Sequence, residues 1–143
     1  MSLEISVAEA WLYGTLTSDS TLMAAVTGVY FHQVPLSAEL PVVLVTYHLG
    51  NDVRGIGKAI IASTLEYVVR VLTDQGSFAS VAAAADQIQT LLHAVRGEAL
   101  GGTVISCTRV RPFLMIEETD NRTEGAVAIR HLGGIYQVMA QGG

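Results

Sequence analysis

Two segments near the N-terminus have apolar residues at helical spacing. Ser6 precedes the first segment and is a residue type that caps helices, and Ser18-Asp19-Ser20 offers caps for the second. Gly28 stands where a left-handed residue would end the second helix. We therefore predict helices within residues 7–27. Their apolar positions are Val7, Ala10, Trp11, Leu12 and Leu16, followed by Leu22, Met23 and Val26.

An unbroken apolar run follows these helices. Residues 42–45 are Val-Val-Leu-Val without a polar residue, which is typical of a strand that is buried on both faces. Pro41 can open such a strand but not occupy its middle, because proline lacks an N–H, and Pro35 bounds the loop on its other side. We predict strands at about 29–32 and 42–49.

Polar connections predict two hairpins. Residues 50–57 are polar and rich in glycine, and residues 60–72 then alternate between apolar and polar, which indicates an antiparallel pair with a long mobile tip. Strands at about 103–114 and 127–139 form the second predicted hairpin, with the polar segment 117–125 as its tip. Pro112 interrupts its first strand, and Gly133 and Gly134 loosen its second.

A strongly amphipathic helix is predicted between the hairpins, at about 78–96. Ser77 can cap it, and it ends near Gly97 with His93 and Arg96 in its last turn. The order of elements predicts an α+β fold: a single domain over residues 1–143, with a mixed, mainly antiparallel sheet of about four to five strands and helices packed on one face.

Composition narrows the function classes. Half of the 143 residues are hydrophobic and only 15% are charged, which favours self-association, and the net charge of −5 argues against a general nucleic-acid footprint. We expect no targeting or membrane-spanning segment, and the single cysteine, Cys107, allows no internal disulfide and fits the cytoplasm.

Candidate chemistry is sparse. Gly55-Ile56-Gly57-Lys58 lacks the first glycine and the Ser or Thr of a phosphate-binding loop, and a strand follows it, where such a loop needs a helix. The four histidines have no carboxylate at ligand spacing, and Cys107 is interpreted as a small buried residue. Glu117 and Glu118 are interpreted as solvated loop charges. We therefore expect no catalytic residue, no cofactor and no metal site.

Four arginines make the stem of the second hairpin locally positive. They have two interpretations: solvated charges that protect strand edges, or one side of a subunit interface that meets Asp120 or Glu124 of the next copy. The four are Arg109, Arg111, Arg122 and Arg130.

The order of these segments resembles the tail terminator or tail completion proteins of long-tailed phages. The resemblance rests on AWLYGTLTSDSTLMAAVTGVYFHQVP, LPVVLVTY, EYVVRVLTDQGSFASVAAAADQIQTLL and the closing strand pair, and it covers nearly the full chain. It implies a non-enzymatic structural protein of the virion tail, assembled in the bacterial cytoplasm, which caps the tail tube as a hexameric ring and stops its polymerisation. Its implied partners are further copies of itself, the major tail tube protein and the head-tail connector protein, with neither membrane nor specific nucleic-acid binding.

The two hairpin tips are the candidate partner-contact loops under this interpretation, since polar and glycine-rich segments can become ordered on binding. The candidate contact residues are Asn51, Asp52, Arg54 and Lys58 in the first tip, and Glu118, Asp120, Arg122 and Glu124 in the second.

Three alternatives remain at the level of sequence. A head-tail connector or neck protein would be similarly small and α+β. A ligand-binding or regulatory module would need a concave apolar pocket with convergent polar groups. An enzyme would need at least two of His48, Glu66, Cys107 and His131 in contact within a cleft.

Overall fold

The computed structural model describes residues 2–57, 59–118 and 128–143, and all structural statements below refer to them. Within this part of the chain there are three helices and one six-stranded sheet. The elements are α1 (Ser2–Thr17), α2 (Ser20–Ala25), β1 (Val29–Phe31), β2 (Val42–Arg54), β3 (Ile60–Thr73), α3 (Ala79–Leu92), β4 (Val95–Ala99), β5 (Gly102–Glu118) and β6 (Ala128–Gly142).

The sheet has the order β1-β2-β3-β6-β5-β4. The β1–β2 pair is parallel and the other four pairs are antiparallel, so the expected mixed, mainly antiparallel arrangement is confirmed. The expected number of four to five strands is wrong, because β4 is a sixth. Its first two residues, Val95 and Arg96, were assigned to the end of the third predicted helix. That helix instead stops at Leu92, and Ala94 then turns the chain with a φ of 57°.

The helices cover one face of the sheet and form the main core with it. Val43 and Val45 on β2, and Leu65 and Tyr67 on β3, point toward this core. Alternate residues of a strand point to opposite faces, so Val42 and Leu44 point the other way. They form a smaller buried cluster with Leu72, covered partly by Val34, Ala38 and Leu40 from the loop before β2. The predicted burial of residues 42–45 on both faces is therefore confirmed.

The ends of the first two helices depart from the sequence expectations in two places. α1 begins at Ser2, so Ser6 lies inside it and is no cap. Asp19 does cap α2, with its Oδ2 accepting a hydrogen bond from Leu22 N at 2.8 Å. α2 ends at Ala25, and Gly28 instead accepts a hydrogen bond from Val43 N through its carbonyl, at 3.0 Å. Tertiary pairing with β2 thus overrides the local signal.

The start of α3 follows the prediction, but its end does not. Ser77 Oγ accepts a hydrogen bond from Ala79 N at 3.0 Å, as a residue at a helix start can. Arg96, which was expected in the last turn, lies in β4.

The strands of the two hairpins are longer than predicted, and the connection between β2 and β3 is shorter. β2 continues five residues beyond the expected end at 49, so Asn51, Asp52 and Arg54 lie in a strand and not in a loop. β5 likewise continues through Pro112 to Glu118. Polar side chains are compatible with these extensions because the strands satisfy their backbone groups by pairing with each other.

Candidate functional site

The first hairpin projects beyond the rest of the sheet. β3 pairs with β6 only as far as Ser63, opposite Ala140, whereas its pairing with β2 continues to Ile60, opposite Arg54. Residues 53–57 and 59–62, which we call the distal ribbon, therefore contain the ends of two strands with no third strand beside them in the described part of the chain.

The distal ribbon exposes apolar side chains. Ile56 at its turn is fully exposed, and Ile60 and Ile61 are 44% and 50% exposed. An isolated two-stranded hairpin is marginally stable in water, so such a projection with apolar side chains is a natural contact surface.

The predicted contact residues of the first hairpin lie at or near this ribbon. Asn51 and Asp52, at its base, pair with Thr64 and Ser63, and Asp52 Oδ1 accepts a hydrogen bond from Ser63 Oγ at 2.9 Å. Arg54 lies in the ribbon itself and is exposed. Lys58, Asp120, Arg122 and Glu124 lie outside the described residues.

The second hairpin contributes a long sheet edge. β4 pairs with β5 only up to Cys107, opposite Val95, so the outer side of residues 108–118 has no paired strand among the described residues. We call this segment the free edge. Glu118, the remaining predicted contact residue, is its last residue and is exposed.

Charged and aromatic side chains of different strands contact each other on the sheet face that lies opposite the helices. Arg111 on β5 approaches Glu66 on β3, with 3.5 Å between Nη2 and Oε2. The Arg70 guanidinium lies over the Phe113 ring, 5.2 Å from its centre. Burial lowers the pKa of Arg70, against the opposing effect of Glu117.

His131 is the most buried polar residue of this face, with its side chain 3% exposed. Its Nε2 lies 3.0 Å from Glu117 Oε2, whereas its buried Nδ1 has no hydrogen-bond partner among the residues that the structure describes. Burial lowers the pKa of His131, and the neighbouring Arg70 charge acts in the same direction, while the Glu117 hydrogen bond opposes it. Glu117 therefore belongs to a strand and has a partner, which corrects its interpretation as a solvated loop charge.

The described arginines of the second hairpin do not all form a free positive patch. Arg109 donates hydrogen bonds to Gln89 Oε1 and to the Gly133 carbonyl, on the helix side of the sheet. Arg130 donates to the Gln75 carbonyl at 3.2 Å and lies over the Phe78 ring. Arg111 remains the most available of these three, with its side chain 53% exposed.

A polar cluster under α1 was not predicted. Glu9 accepts a hydrogen bond from the Tyr67 hydroxyl at 3.1 Å through Oε2, and its Oε1 lies 3.0 Å from His32 Nε2. Tyr67 is fully buried, and burial raises its pKa, to which the Glu9 charge adds. A tyrosine on the apolar face of a predicted strand was the available signal, because a buried hydroxyl needs a partner.

The four residues that were candidates for an enzyme lie on four different strands, namely His48, Glu66, Cys107 and His131. Cys107 is fully buried in the core on the helix side, where burial raises its pKa to about 12, so its interpretation as a buried residue is confirmed. Glu66 and His131 lie on the opposite face of the sheet, each engaged with a β5 side chain. His48 is on β2, which does not pair with β6, the strand that carries His131.

A surface groove lies between α1 and β4. It has a volume of about 690 Å³ and is wide open to solvent, with Trp11 at one wall and Leu100 and Glu98 at another. Beneath the sheet the core is filled by fully buried side chains. The groove is therefore a surface depression, unlike the concave pocket with convergent polar groups that a ligand-binding module requires.

Across residues 2–57, 59–118 and 128–143, no three His, Cys, Asp or Glu side chains are grouped so that they could hold a metal ion. In the same ranges, no helix has the length and apolar character needed to cross a membrane.

The chain as a whole is similar to a known family and to a solved structure. No match was found among the curated proteins. A chain in a structure described as "Virion of native gene transfer agent (GTA) particle" has the same fold, with a TM-score of 0.64 at 22% identity over 92% of each chain. The family described as "Tail completion protein gp17" matches residues 10–132 of this sequence. This match takes in all three helices at least in part and five whole strands, and the chain therefore belongs to the family of tail completion proteins.

Proposed function

We propose that the protein is a structural virion component that caps the end of a phage-like tail tube as a six-membered ring. In this role it stops tube polymerisation and offers a surface for joining the head connector. The observation that carries the proposal is membership of the tail completion family over residues 10–132. The fold of a chain in a gene transfer agent virion supports it. The partners would be further copies of this chain, the major tail tube protein and the head-tail connector protein.

The distal ribbon is the surface we assign to the tube. It projects beyond the last β3–β6 pair, and it combines exposed Ile56, Ile60 and Ile61 with the charge of Arg54. A two-stranded ribbon with exposed apolar side chains can pair with the sheet edge of a partner or cover its apolar surface. Asn51 and Asp52 would contribute from its base, and Lys58 is the further candidate that the sequence gives. The second predicted hairpin would provide another contact region, whose candidate residues are Glu118, Asp120, Arg122 and Glu124.

The test is tube polymerisation with the purified tail tube protein of the same virus. Electron microscopy should show that the protein shortens the tubes and sits as a ring at one tube end. Ile56→Asp should keep the circular dichroism spectrum and melting temperature of the parent protein but give longer, uncapped tubes. Leu36→Asp is the matched control, because Leu36 is equally exposed but lies in the loop before β2.

Two results would contradict the proposal. Tubes of unchanged length and without end density would exclude the capping role. Binding to the connector protein without any binding to tubes would instead identify a neck protein. Normal capping by Ile56→Asp would remove the assignment of the distal ribbon while leaving the capping role intact.

A further inference from the structure

Two edges of the sheet lack a neighbouring strand over much of their length. On one side, the free edge comprises residues 108–118 of β5, because β4 stops opposite Cys107. On the other side, β1 pairs with β2 only up to Val45, so the outer side of residues 46–54 has no paired strand in the described part of the chain. We call residues 46–54 the β2 edge. Exposed strand edges pair readily with other strands.

Both edges also expose apolar side chains. Leu114, Met115 and Ile116 are exposed on the free edge, and Leu114 is the most exposed of the three, at 60%. Tyr47 and Leu49 are exposed on the β2 edge. Unpaired backbone groups and exposed apolar side chains therefore occur together at each edge, as on a surface that another chain covers.

The two edges lie on opposite sides of the sheet, and their strands run in opposite directions. β5, β6, β3 and β2 are successive antiparallel neighbours, so β5 and β2 have opposite directions within one copy. The free edge of one copy can therefore pair antiparallel with the β2 edge of a second copy that has the same orientation. Such a contact joins two different surfaces at each step, and this is the kind of contact from which a cyclic ring is built.

Contacts of β2 show which of its residues direct backbone groups outward. Val43 N donates a hydrogen bond at 3.0 Å, and the Val45 carbonyl accepts one at 2.8 Å, in both cases with a residue that flanks β1. Both valines point their side chains into the core on the helix side. Tyr47 and Gly50 are paired with β3 residues that point into the same core, so they share this orientation. The outward groups of the β2 edge thus belong to residues that face the helices.

Pro112 indicates the corresponding orientation of the free edge. It lies within β5, and a proline, which has no N–H, is tolerated within a strand where its nitrogen faces an unpaired edge. Phe113 lies on the sheet face opposite the helices, so alternation places Pro112, Leu114 and Ile116 on the helix side. Leu114 and Ile116 therefore direct their backbone groups outward. Pairing of the two edges then gives one continuous sheet with the helices of both copies on the same side.

One register brings the apolar side chains of the two edges together. It pairs residues 111–117 of one copy with residues 46–53 of the next, and the bulge between Tyr47 and Leu49 takes up the difference in length. The central pairs are Leu114 with Gly50, Met115 with Leu49, and Ile116 with Tyr47. Cross-strand apolar pairs of this kind stabilise a sheet by about 0.2–1 kcal/mol each.

The short strands β1 and β4 do not obstruct this register. β1 lies beside β2 only up to Val45, so it ends just before the shared ladder begins. β4 lies beside β5 only up to Cys107, so it ends before the other end of the ladder. Each short strand therefore continues the edge that the neighbouring copy leaves uncovered.

The register also sets a stagger between successive copies. Within one copy, Leu114 is level with Val71, whereas Gly50 is level with Leu65. Successive copies are therefore shifted by the six residues from Leu65 to Val71, which is about 20 Å at ~3.3 Å per residue. The four strands between two contacts span about 19 Å at ~4.8 Å each, so the strands tilt by about 45° from the ring axis. Closed sheets have tilts of about 35–45°, and this contact is therefore compatible with a closed ring.

We propose that the free edge of one copy pairs antiparallel with the β2 edge of the next, with Leu114 opposite Gly50, and that this contact joins the copies of the ring. The inference deepens the proposed function, since it rests on the cyclic ring and names the contact between its copies. The exposed Ile56, Ile60 and Ile61 of the distal ribbon lie outside the shared ladder and stay available to the tube.

The test is disulfide cross-linking of the double variant Leu49→Cys/Met115→Cys, as free protein at high concentration and as protein bound to tail tubes. Residues opposite each other in an antiparallel pair have Cα atoms about 4.5–5.5 Å apart, within the range that a disulfide spans. Mild oxidation should give a ladder of linked chains on a non-reducing gel, and the ladder should end at six copies. The native Cys107 is fully buried and should form no cross-link.

Two sets of controls test the direction and the register of the contact. Leu49→Cys alone and Met115→Cys alone should give no linked chains, because each cysteine then lies opposite an unchanged residue, and an equimolar mixture of the two should give linked pairs only. Asn51→Cys/Met115→Cys places the first cysteine on the same sheet face but two residues out of register. It should give about tenfold less linked product, because the Cα atoms are then too far apart for a disulfide without backbone movement.

Several results would overturn the proposal. These are a double variant that folds like the parent by circular dichroism but gives no linked chains in either sample, linked pairs from Met115→Cys alone, and a ladder that continues beyond six copies. The tube assay distinguishes this inference from the proposed function. Capping by a double variant that does not cross-link would remove the edge contact and leave the function, whereas a ladder up to six copies without capping would leave the contact and remove the function.

Discussion

The Tyr67 hydroxyl donates a hydrogen bond to Glu9 Oε2, 3.1 Å away, and so joins the middle of the sheet to the first helix. The ring is fully buried and stacks edge-on against Tyr47, with 5.8 Å between the ring centres. The hydroxyl is thus the polar end of a residue that otherwise belongs to the core.

Removal of this hydroxyl should weaken the fold without disrupting its packing. We expect Tyr67→Phe to lower the free energy of unfolding by about 1–2 kcal/mol, because Glu9 loses a partner and retains only His32. Urea denaturation measures the change. Tyr13→Phe is the control, since Tyr13 is more than half exposed. Equal stability of Tyr67→Phe and the parent would show that the hydrogen bond contributes nothing.

A charge in the doubly buried part of β2 should unfold the protein. Leu44 is 7% exposed and packs in the small cluster beneath the loop, so Leu44→Asp should cost roughly 4 kcal/mol or more, through an unpaired buried charge. Leu49→Asp tests the same substitution in the same strand at a position that is 42% exposed, and should fold normally. Circular dichroism distinguishes the two, and a folded Leu44→Asp would mean that the strand opens on this side.

Gly133 should tolerate no side chain. A Cβ there would meet the Val69 carbonyl oxygen and lie 2.6 Å from Arg70 Cα on the adjacent strand, and neither backbone atom can move aside cheaply. We expect Gly133→Ala to lower the free energy of unfolding by about 2 kcal/mol or more. Gly76→Ala is the control, because a Cβ there meets nothing within 4 Å. Parent-like stability of Gly133→Ala, measured by thermal denaturation, would show that β3 and β6 can separate at this point.

Stability should depend on pH through His131. Burial lowers its pKa below the ordinary value of 6.5, so the folded protein favours the neutral imidazole more than the unfolded chain does. The stabilisation is therefore fully present above about pH 6.5 and is lost as the pH falls through the lower folded pKa. The charges that face this ring are Glu117 and Arg70.

The measurement is the urea midpoint of the parent and of His131→Gln at pH 7.5 and at pH 5.5. The variant should lose part of the decrease seen in the parent. His48→Gln, at an exposed position, should keep the parent's pH dependence. A His131→Gln variant with the full decrease would assign the effect to other groups.

Much of the sheet could be predicted from local patterns. The apolar run 42–45 predicted its own burial on both faces, and the alternation in 60–72 predicted which side chains of β3 face the core. Both patterns reflect the hydrophobicity of each side chain, which is a property of the residue itself.

Strand ends and the sixth strand were not predictable in the same way. Asp52 and Arg54 are poor strand residues by composition, yet they are paired with Ser63 and Ile60. Val95 and Arg96 were predicted as the end of a helix, but they begin a strand that pairs with β5, because the chain turns at Ala94. Strand pairing depends on a partner strand that is distant in the sequence, and the local composition carries no information about that partner.

The candidate contact surfaces were likewise predicted only in part from the sequence. The sequence indicated two exposed hairpins, a tail completion resemblance and the residues Asn51, Asp52, Arg54 and Glu118, but it placed them all in loops. Tertiary structure decided that the first hairpin projects as a two-stranded ribbon and that the second leaves an edge unpaired.

The sequence by itself therefore determined which side chains of each segment are buried. From that pattern follow the helices, the core strands and the resemblance to the family. Only the tertiary structure decided how far the strands pair, that Gly133 marks a close approach of two strands, and that Glu117 reaches His131. The physical reason is that burial follows from the side chain alone, whereas pairing and contact depend on residues far apart in the chain.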